Sequence, residues 1–310
     1  MTSGPPIRIA VVGAGKIARD EHLPVLRADD RFACVAVVDP NPVDMPEPRF
    51  ESFAALISDG PAVDAVAICT PPQVREAVAR EALALGLHVM LEKPPAMTVA
   101  AAERLLLACP SDRTIFAAWH SREAPMVARA AAWLAGRRIR RGAMCWREDA
   151  HEWHPGQSWL WQPGGLGVFD AAINGLSILT AISPDPLSVE SAWFEVPVNQ
   201  HAPIAARVRL ACDTGSLDLD LDFRESGTPR WDISIEADDG ARLYLGCGGT
   251  TISLDDGPSE TQPSREYTAL YSRFAQLIAE GLSEVDSRPL GLVADAFLIA
   301  HVEASAPFYP

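Results

Sequence analysis

Short, near-continuously apolar segments alternate with helical segments over the first 120 residues of this chain. Strands of this kind, without regular polar positions, are typical of sheets that are buried on both faces. Their alternation with helices predicts an α/β fold with a parallel, doubly wound sheet. The predicted strands are 7–12, 32–39, 63–69, 88–93 and 114–120, and the predicted helices are about 16–26, 53–58, 73–85 and 97–109.

The pattern changes beyond residue 120. Between 187 and 254, short segments alternate polar and apolar residues, as in SLDLDLDF at 216–223. Such alternation is typical of an antiparallel sheet that is covered on one face. We therefore expect two domains, 1–120 and 121–310. The other predicted elements are a helix at 123–135, a strand near 139–147, a tryptophan-rich loop at 150–163, and helices at about 166–180, 266–280 and 289–304.

Charge and cysteine content argue against several function classes. The chain carries 41 acidic and 26 basic side chains and a net charge of −15, which disfavours binding to nucleic acid or an anionic membrane. It has no apolar run of about 18 residues and no signal-peptide pattern at its start. Its six cysteines lie at least 35 residues apart, without the close pairs of zinc or redox motifs. We expect a cytoplasmic protein with reduced thiols.

The turn after the first strand has the pattern G-x-G-x-x-A. In such a turn the first glycine allows a tight bend, the second lets a pyrophosphate approach the backbone, and the small third residue lets the helix pack on the strand. Followed by a helix N-terminus, the turn predicts a dinucleotide site, although an ordinary strand–helix turn is the alternative. Its residues are Gly13, Ala14, Gly15, Lys16, Ile17 and Ala18.

Asp39 ends the second predicted strand. A carboxylate at this position accepts both hydroxyls of the adenosine ribose and repels a 2′-phosphate. The residues that follow it are Pro40 and Asn41, so no arginine stands beside it in the sequence to hold that phosphate. We therefore expect NAD as the preferred cofactor, with NADP as the second candidate.

Lysine is nearly absent from this chain. Only Lys16 and Lys93 occur, and all other Lys/Arg positions are arginine. Lys93 is the last residue of the predicted strand 88–93, at the edge of a doubly wound sheet where ligands bind. This placement favours a functional ammonium group over the alternative of a loop lysine in solvent.

A helix predicted at about 166–180 carries Asp170 and Asn174, which lie four residues apart and therefore on one face. Helix capping by Asp170 is the alternative.

Four of the eight tryptophans, with His151 and His154, lie between residues 146 and 161. Aromatic faces suit the CH face of a pyranose, and His, Asp and Asn suit its hydroxyls, although core packing is the alternative for any single tryptophan. The spacing of His151, Glu152 and His154 does not match a metal motif, and no metal is expected.

Four segments together resemble the Gfo/Idh/MocA oxidoreductase family, and within it the bacterial aldose 1-dehydrogenases that act on L-arabinose and D-galactose. They are GAGKIARDEHLP at 13–24, HVMLEKPP at 88–95, AAWHSR at 117–122 and WHPGQSWLWQPGGLGVFDAAIN at 153–174. The resemblance implies a Rossmann domain that binds NAD(P), followed by a substrate-binding α/β domain with a large, mostly antiparallel sheet. The active site would lie between them, and the open sheet face is often used for a homodimer.

The resemblance also assigns roles to single residues. By the E-K-P motif, Lys93 should face the substrate beside the nicotinamide. Glu92 and Lys93 of this motif, with Thr70 and Pro71, should line the cofactor. Asp170 matches the Asp of the family's D-x-x-x-H motif, but Asn174 replaces its histidine and cannot take a proton. The base is therefore Asp170 or Lys93, with Asn174 orienting a hydroxyl. In our hypothesis, Asp170 accepts the proton of the anomeric hydroxyl and Lys93 stabilises the charge on its oxygen.

The implied reaction is oxidation of an aldopyranose at carbon 1 to the aldonolactone, with D-galactose, L-arabinose or D-fucose as substrate. Candidate sugar contacts are His120, Trp153 and Trp231. One alternative is an inositol or other polyol dehydrogenase on the same scaffold. The other is a non-catalytic NAD(P)-binding sensor, which the presence of both Lys93 and Asp170 disfavours.

Overall fold

The computed structural model describes residues 4–310, and the contacts within it divide the chain into two units. The first unit runs to Trp119 and includes Tyr267–Ser287. The second unit consists of His120–Glu266 and Arg288–Pro310. Among the described residues, no helix combines the length and the apolar composition that crossing a bilayer requires.

Six strands form a parallel sheet in the first unit. Their order, β3-β2-β1-β4-β5-β6, is the order of a Rossmann sheet. The predicted parallel, doubly wound sheet is confirmed, and the structure adds the two-residue strand β3, which the sequence pattern did not indicate. The strands are β1 (Ile7–Val12), β2 (Phe32–Val38), β3 (Arg49–Phe50), β4 (Ala65–Ile68), β5 (His88–Glu92) and β6 (Ile115–Ala118).

Helices cover both faces of this sheet. The apolar residues of one face pack with Leu56, Leu83 and Leu105 from three helices that follow strands. On the other face, the predicted helix at 16–26 is a π-helical turn, Ala18–His22, that leads into a short α-helix. The α-helices between the strands are α1 (Leu23–Ala28), α2 (Phe53–Asp59), α3 (Pro72–Ala84) and α4 (Val99–Ala108).

Nine strands form the sheet of the second unit, in the order β14-β13-β12-β11-β7-β10-β9-β8-β15. Only the pairs β7–β10 and β8–β15 are parallel, so the expected large, mostly antiparallel sheet is confirmed. Strand β10 shows the predicted alternation, since Leu217 and Leu219 are buried while Asp218 and Asp220 are exposed. The strands are β7 (Ile139–Arg147), β8 (Ser188–Pro197), β9 (Ala205–Ala211), β10 (Ser216–Asp222), β11 (Arg230–Ala237), β12 (Arg242–Gly246), β13 (Thr251–Leu254), β14 (Glu260–Thr261) and β15 (His301–Ser305).

A nearly fully buried helix, α7 (Phe169–Ile182), packs on the covered face of this sheet. Most of its residues are apolar because the sheet and neighbouring helices together surround it. The remaining α-helices within residues 4–310 are α5 (Val127–Leu134), α6 (Ala150–Trp153), α7 (Phe169–Ile182), α8 (Glu266–Glu280) and α9 (Arg288–Ile299). The predicted loop at 150–163 therefore contains α6, and also a 3₁₀ turn at Ser158–Trp161.

The predicted helix at 289–304 is wrong in its last residues. Helix α9 ends at Ile299, and His301–Ser305 form β15, which pairs with Trp193–Pro197 of β8. The partner strand lies about a hundred residues earlier in the chain, so the local pattern carries no sign of this pairing.

Helix α8 departs from the predicted domain limits. The prediction placed it in 121–310, but Tyr267–Ser287 belong to the first unit. Its buried residues Leu270, Phe274 and Leu277 recur at helical spacing and pack on the first sheet with Leu23 and Leu26 of α1. The periodicity identified a buried face but not the surface that covers it. As limits of independently folding domains, 1–120 and 121–310 stay a prediction.

Two glycine-to-alanine substitutions test the packing of α7. A Cβ at Gly175 would collide with Met144 Sδ and lie 2.6 Å from Trp146 Cε3, whereas a Cβ at Gly291 of α9 would meet nothing within 4 Å. Because overpacking is costly, Gly175→Ala should lower the free energy of unfolding by about 1–3 kcal/mol. The matched control, Gly291→Ala, should raise it by about 0.4–1 kcal/mol. Urea unfolding measures both, and shifts of the same sign would contradict the packing described.

Candidate active site

The glycine turn after β1 lies against the end of β4. Gly13 has a φ of +95°, and a Cβ there would lie 2.9 Å from Thr70 N. Gly15 is exposed, and a Cβ there would meet nothing within 4 Å. The first glycine therefore allows a close approach of two loops, while the second leaves its backbone open to a ligand. Ala18 is fully buried, as the packing of the helix on β1 requires.

The two residues between Gly15 and Ala18 have different surroundings. Lys16 is exposed, and its Nζ forms an ion pair with Asp20 one turn along. Ile17 is half-buried and packs against the core of the first unit. Their contacts with a cofactor stay predictions.

Asp39, just beyond β2, is hydrogen-bonded to the glycine turn. Its Oδ2 accepts the N–H of Ala14 at 2.8 Å, and its Oδ1 accepts the N–H of Asn41 at 2.9 Å. The carboxylate therefore lies at the phosphate turn, where a dinucleotide places its adenosine ribose.

The expectation that no arginine stands beside Asp39 is wrong in three dimensions. Nη1 of Arg49 donates a hydrogen bond of 2.8 Å to the carbonyl oxygen of Asp39. Arg49 is the first residue of β3, which pairs with the end of β2. A strand of two residues has no readable hydrophobic pattern, so this neighbour was invisible in the sequence.

Thr70 and Pro71 follow β4 next to Gly13. Thr70 Oγ1 is buried and has no hydrogen-bond partner among residues 4–310. A buried hydroxyl without a partner is costly, so its presence at a predicted ligand edge needs an explanation. A ligand with polar groups, as a dinucleotide has, would satisfy it. The residues present therefore fit a bound NAD(P).

A buried carboxylate holds the backbone of Lys93. Glu92 Oε2 accepts the N–H of Lys93 at 2.9 Å, and its Oε1 accepts hydrogen bonds from His22 Nε2 at 3.1 Å and Tyr267 OH at 2.8 Å. Glu92 itself is 3% exposed. The His22 ring also contacts the hydroxyl of Tyr271 at 2.8 Å. Glu92 thus holds the backbone at Lys93 in place. The groups that donate to its carboxylate come from α8 and from the turn before α1.

The tyrosine of this network keeps its proton. Burial raises the pKa of Tyr267 well above 10, and the carboxylate of Glu92 adds to the shift. Burial opposes charging of His22, but Cys69, Tyr271 and the hydrogen bond to Glu92 outweigh it and hold the pKa of His22 well above its usual range. Both groups therefore act as donors to Glu92.

Arg75 of α3 joins the ends of β4 and β5. Its guanidinium donates to the carbonyl oxygens of Thr70, Glu92 and Pro94. Sequence analysis missed this residue. The available signal was an arginine in register with Ala79 and Ala82, on the buried face of α3. An arginine on such a face needs several acceptors, and strand ends supply them.

In the second unit, Asp170 and Asn174 lie one turn apart on α7. Asp170 is 5% exposed and Asn174 is half-buried. The helix starts after Gly167, which has a φ of +52° and lies so close to Pro203 that a side chain would not fit. The predicted shared face is thus present, and the roles of the two residues stay predictions.

A polar cluster that sequence analysis missed lies next to Asp170. Glu148 is buried; its Oε1 contacts His154 Nε2 at 2.6 Å, and its Oε2 accepts the indole N–H of Trp231 at 2.7 Å. On the other side of the His154 ring, Nδ1 lies 3.8 Å from Asp170 Oδ2 and has no hydrogen-bond partner among the described residues. The sequence pattern indicates His154 as one of the histidines among the tryptophans, but it does not indicate Glu148, which lies two residues after Trp146.

The predicted aromatic contacts lie at this cluster. Trp153 packs edge-on against Trp231 at a centroid distance of 5.0 Å, and Trp231 stacks on Trp146 at 6.2 Å. Trp153 is 37% exposed, whereas Trp146 is buried. Trp161, by contrast, is buried against Phe223 and Phe308, as core packing predicts. The structure therefore brings two of the predicted sugar contacts together.

The third predicted contact, His120, lies beyond β6. Its Nδ1 lies 2.5 Å from Oε2 of Glu266, the first residue of α8. His151 is turned elsewhere, with Nδ1 3.1 Å from Asp149 and Nε2 3.0 Å from the carbonyl oxygen of Tyr309. Over residues 4–310, no three His, Cys, Asp or Glu side chains are arranged to hold a metal ion.

Comparison with known proteins gives matches over the whole chain. The family model described as an oxidoreductase family with an NAD-binding Rossmann fold, Gfo/Idh/MocA, matches residues 7–120. The galactose 1-dehydrogenase of Pseudomonas fluorescens is 41% identical over 98% of this chain and 99% of its own length. The crystal structure of a D-galactose-1-dehydrogenase from Rhizobium etli superposes with a TM-score of 0.93 at 40% identity, covering 100% of both chains. The inositol 2-dehydrogenase of Leifsonia xyli is 36% identical over 34% of this chain and 33% of its own length.

Replacement of Thr70 by valine tests whether its hydroxyl serves a bound dinucleotide. Since the hydroxyl has no hydrogen-bond partner within residues 4–310, Thr70→Val should keep or raise the free energy of unfolding without ligand. The dissociation constant for NAD should rise by about 3- to 10-fold, as expected for one lost hydrogen bond. Thermal unfolding and calorimetric titration measure the two effects.

The matched control is Thr180→Val. The hydroxyl of Thr180 donates to the carbonyl oxygen of Leu176 and accepts from Arg122, both at 2.9 Å. This variant should therefore lose about 1–3 kcal/mol of stability and bind NAD normally. Unchanged NAD affinity in Thr70→Val would show that its hydroxyl does not serve the cofactor.

Proposed function

The chain belongs to the Gfo/Idh/MocA oxidoreductase family, and on this premise we propose that it oxidises an aldopyranose at carbon 1 to the aldonolactone, with NAD(P) as the hydride acceptor. The substrates we propose are D-galactose, L-arabinose and D-fucose. The observation that carries the proposal is the cluster of Glu148, His154 and Asp170, in which both carboxylates are buried. Beside it lie the exposed ring of Trp153 and the half-buried ring of Trp231. It combines hydroxyl-binding groups with aromatic faces, as a pyranose requires.

A nicotinamide dinucleotide held by the glycine turn, Asp39 and Thr70 would supply the hydride acceptor for carbon 1 of the sugar. Asp170 accepts the proton of the anomeric hydroxyl as the carbonyl forms, because that hydroxyl becomes more acidic when the hydride leaves. The ammonium group of Lys93 stabilises the negative charge that develops on the same oxygen. Asn174 orients a neighbouring hydroxyl through its amide, which both donates and accepts hydrogen bonds.

The remaining cluster residues hold the sugar. Trp153 and Trp231 offer ring faces to its CH groups. Glu148 is already bonded to His154 and Trp231, so its orientation is set before a sugar binds. His120, bonded to Glu266, is a further candidate contact.

We propose NAD as the preferred cofactor. Oδ2 of Asp39 is bonded to the glycine turn at Ala14 and Oδ1 to the N–H of Asn41, and both oxygens can also accept the two hydroxyls of the adenosine ribose. A 2′-phosphate at the same position would be repelled by the carboxylate.

The homodimer and the cytoplasmic location stay predictions. The open face of the second sheet carries charged residues that pair across strands, including Arg209 with Asp218 at 3.3 Å and with Glu190 at 3.1 Å. Such a face suits a second copy of the chain only if these pairs rearrange or are matched across the interface.

Initial rates on a panel of sugars test the function. With NAD, we expect NADH formation with D-galactose, L-arabinose and D-fucose, which share their ring stereochemistry, and at least about tenfold lower kcat/KM with inositols. Preference for an inositol would support the polyol alternative. Absence of NADH with every substrate, together with tight NAD binding, would support the sensor. The similarity to inositol 2-dehydrogenase covers only a third of this chain and does not favour that alternative.

Replacement of Asp170 by alanine tests its role as the base. Because general bases contribute about 10²- to 10⁴-fold to rates, Asp170→Ala should lower kcat by at least about 100-fold and leave NAD affinity within about threefold. The control is Asp218→Ala, which removes an exposed carboxylate of β10 in the same unit. A near wild-type kcat in Asp170→Ala would rule out this assignment and leave Lys93 as the base.

A further inference from the structure

We propose that Arg49 forms a subsite for the 2′-phosphate of NADP beside Asp39, so that the protein accepts NADP as a second cofactor while preferring NAD. The proposal rests on the NAD(P) use proposed above and names the residue that sets its specificity. It starts from the hydrogen bond between the Arg49 guanidinium and the backbone of Asp39.

The short strand β3 determines where Arg49 lies. Arg49 is paired in register with Val37, and Phe50 with Val38, the last residue of β2. Nη1 of Arg49 reaches past the end of β2 to the carbonyl oxygens of Asp39, at 2.8 Å, and Asn41, at 3.4 Å. The guanidinium therefore lies beside the residue that is expected to recognise the adenosine ribose.

The guanidinium keeps donors for a further ligand. Arginine has five N–H donors in a fixed fork, and both hydrogen bonds described for Arg49 use Nη1. Nη2 has only a distant partner within residues 4–310, Glu51 Oε1 at 3.7 Å, and the Glu51 side chain is 81% exposed. An exposed partner at this distance contributes little. The edge formed by Nε and Nη2 can therefore bind two phosphate oxygens.

Two opposite charges thus stand at the ribose position. The Asp39 carboxylate repels a 2′-phosphate, but its oxygens already accept the N–H groups of Ala14 and Asn41, which compensate part of its charge. The Arg49 guanidinium attracts the phosphate, and its side chain is 26% exposed, so a ligand can reach it. The attraction by Arg49 offsets part of the repulsion by Asp39, which leaves a preference for NAD without excluding NADP.

The alternative is that Arg49 only holds the loop after β2. In that case removal of the Arg49 side chain would disturb Asp39 and weaken the binding of NAD and NADP equally. A specific subsite would instead affect only ligands that carry the 2′-phosphate. Binding measurements with matched pairs of ligands separate the two.

The experiment is calorimetric titration of the whole protein with NAD, NADP, 5′-AMP and 2′,5′-ADP. The variants are Arg49→Gln, Arg49→Lys, which keeps the charge, and Arg104→Gln as a control. Arg104 lies on α4 and pairs with Glu76, so the control removes the same charge elsewhere in the first unit.

We expect Arg49→Gln to raise the dissociation constants of NADP and 2′,5′-ADP by at least about tenfold, and those of NAD and 5′-AMP by less than about threefold. Arg49→Lys should keep part of the NADP affinity that Arg49→Gln loses. Arg104→Gln should leave the dissociation constants of all four ligands unchanged. In addition, Asp39→Asn should improve NADP binding in the wild-type background but much less in the Arg49→Gln background.

If Arg49→Gln raised the dissociation constants of all four ligands equally, or changed none of them, the proposal would be overturned. An equal effect of Asp39→Asn in both backgrounds would also overturn it. If the wild-type protein bound neither dinucleotide, the proposed function itself would fail. That outcome is distinct from a failure of the Arg49 subsite, in which NAD still binds.

Discussion

The cofactor side of the candidate site depends on the hydrogen bonds that the guanidinium of Arg75 donates. It binds the carbonyl oxygens of Thr70, Glu92 and Pro94, and so joins the loops after two neighbouring parallel strands. Parallel strands deliver their loops to one edge of the sheet, but they do not fix the loops relative to each other. A buried arginine with three carbonyl acceptors does, because any rearrangement would leave charge and carbonyls unsatisfied. The carboxylate of Glu92 in turn connects the Lys93 backbone to Tyr267 of α8.

The sequence was sufficient wherever the placement of a candidate residue depends on local pattern. The glycine turn, the strand before Lys93 and the shared helical face of Asp170 and Asn174 each lie within about a dozen consecutive residues, so periodicity and turn chemistry predict them. Arg75 was within reach of the same reasoning. It interrupts the buried face of α3, and a buried arginine implies acceptors.

The rest depends on pairings between distant segments. Strand β3 has only two residues, yet it brings Arg49 to Asp39. Helix α8 has a readable apolar face, but only the fold shows that this face covers the first sheet. Glu148 lies at the end of β7 and meets Trp231 because β7 and β11 are neighbours, which their separation in the chain conceals. Contacts of this kind depend on packing partners, and single-sequence patterns do not identify partners.

The central claim is that carbon 1 of an aldopyranose is the hydride donor. The most direct test is incubation of the protein with NAD and D-galactose deuterated at carbon 1, followed by mass spectrometry of the reduced cofactor. We predict one deuterium in NADH from this substrate, and none from galactose deuterated at carbon 2 or carbon 3. Unlabelled NADH from the carbon 1 substrate, or label from another ring carbon, would contradict the account.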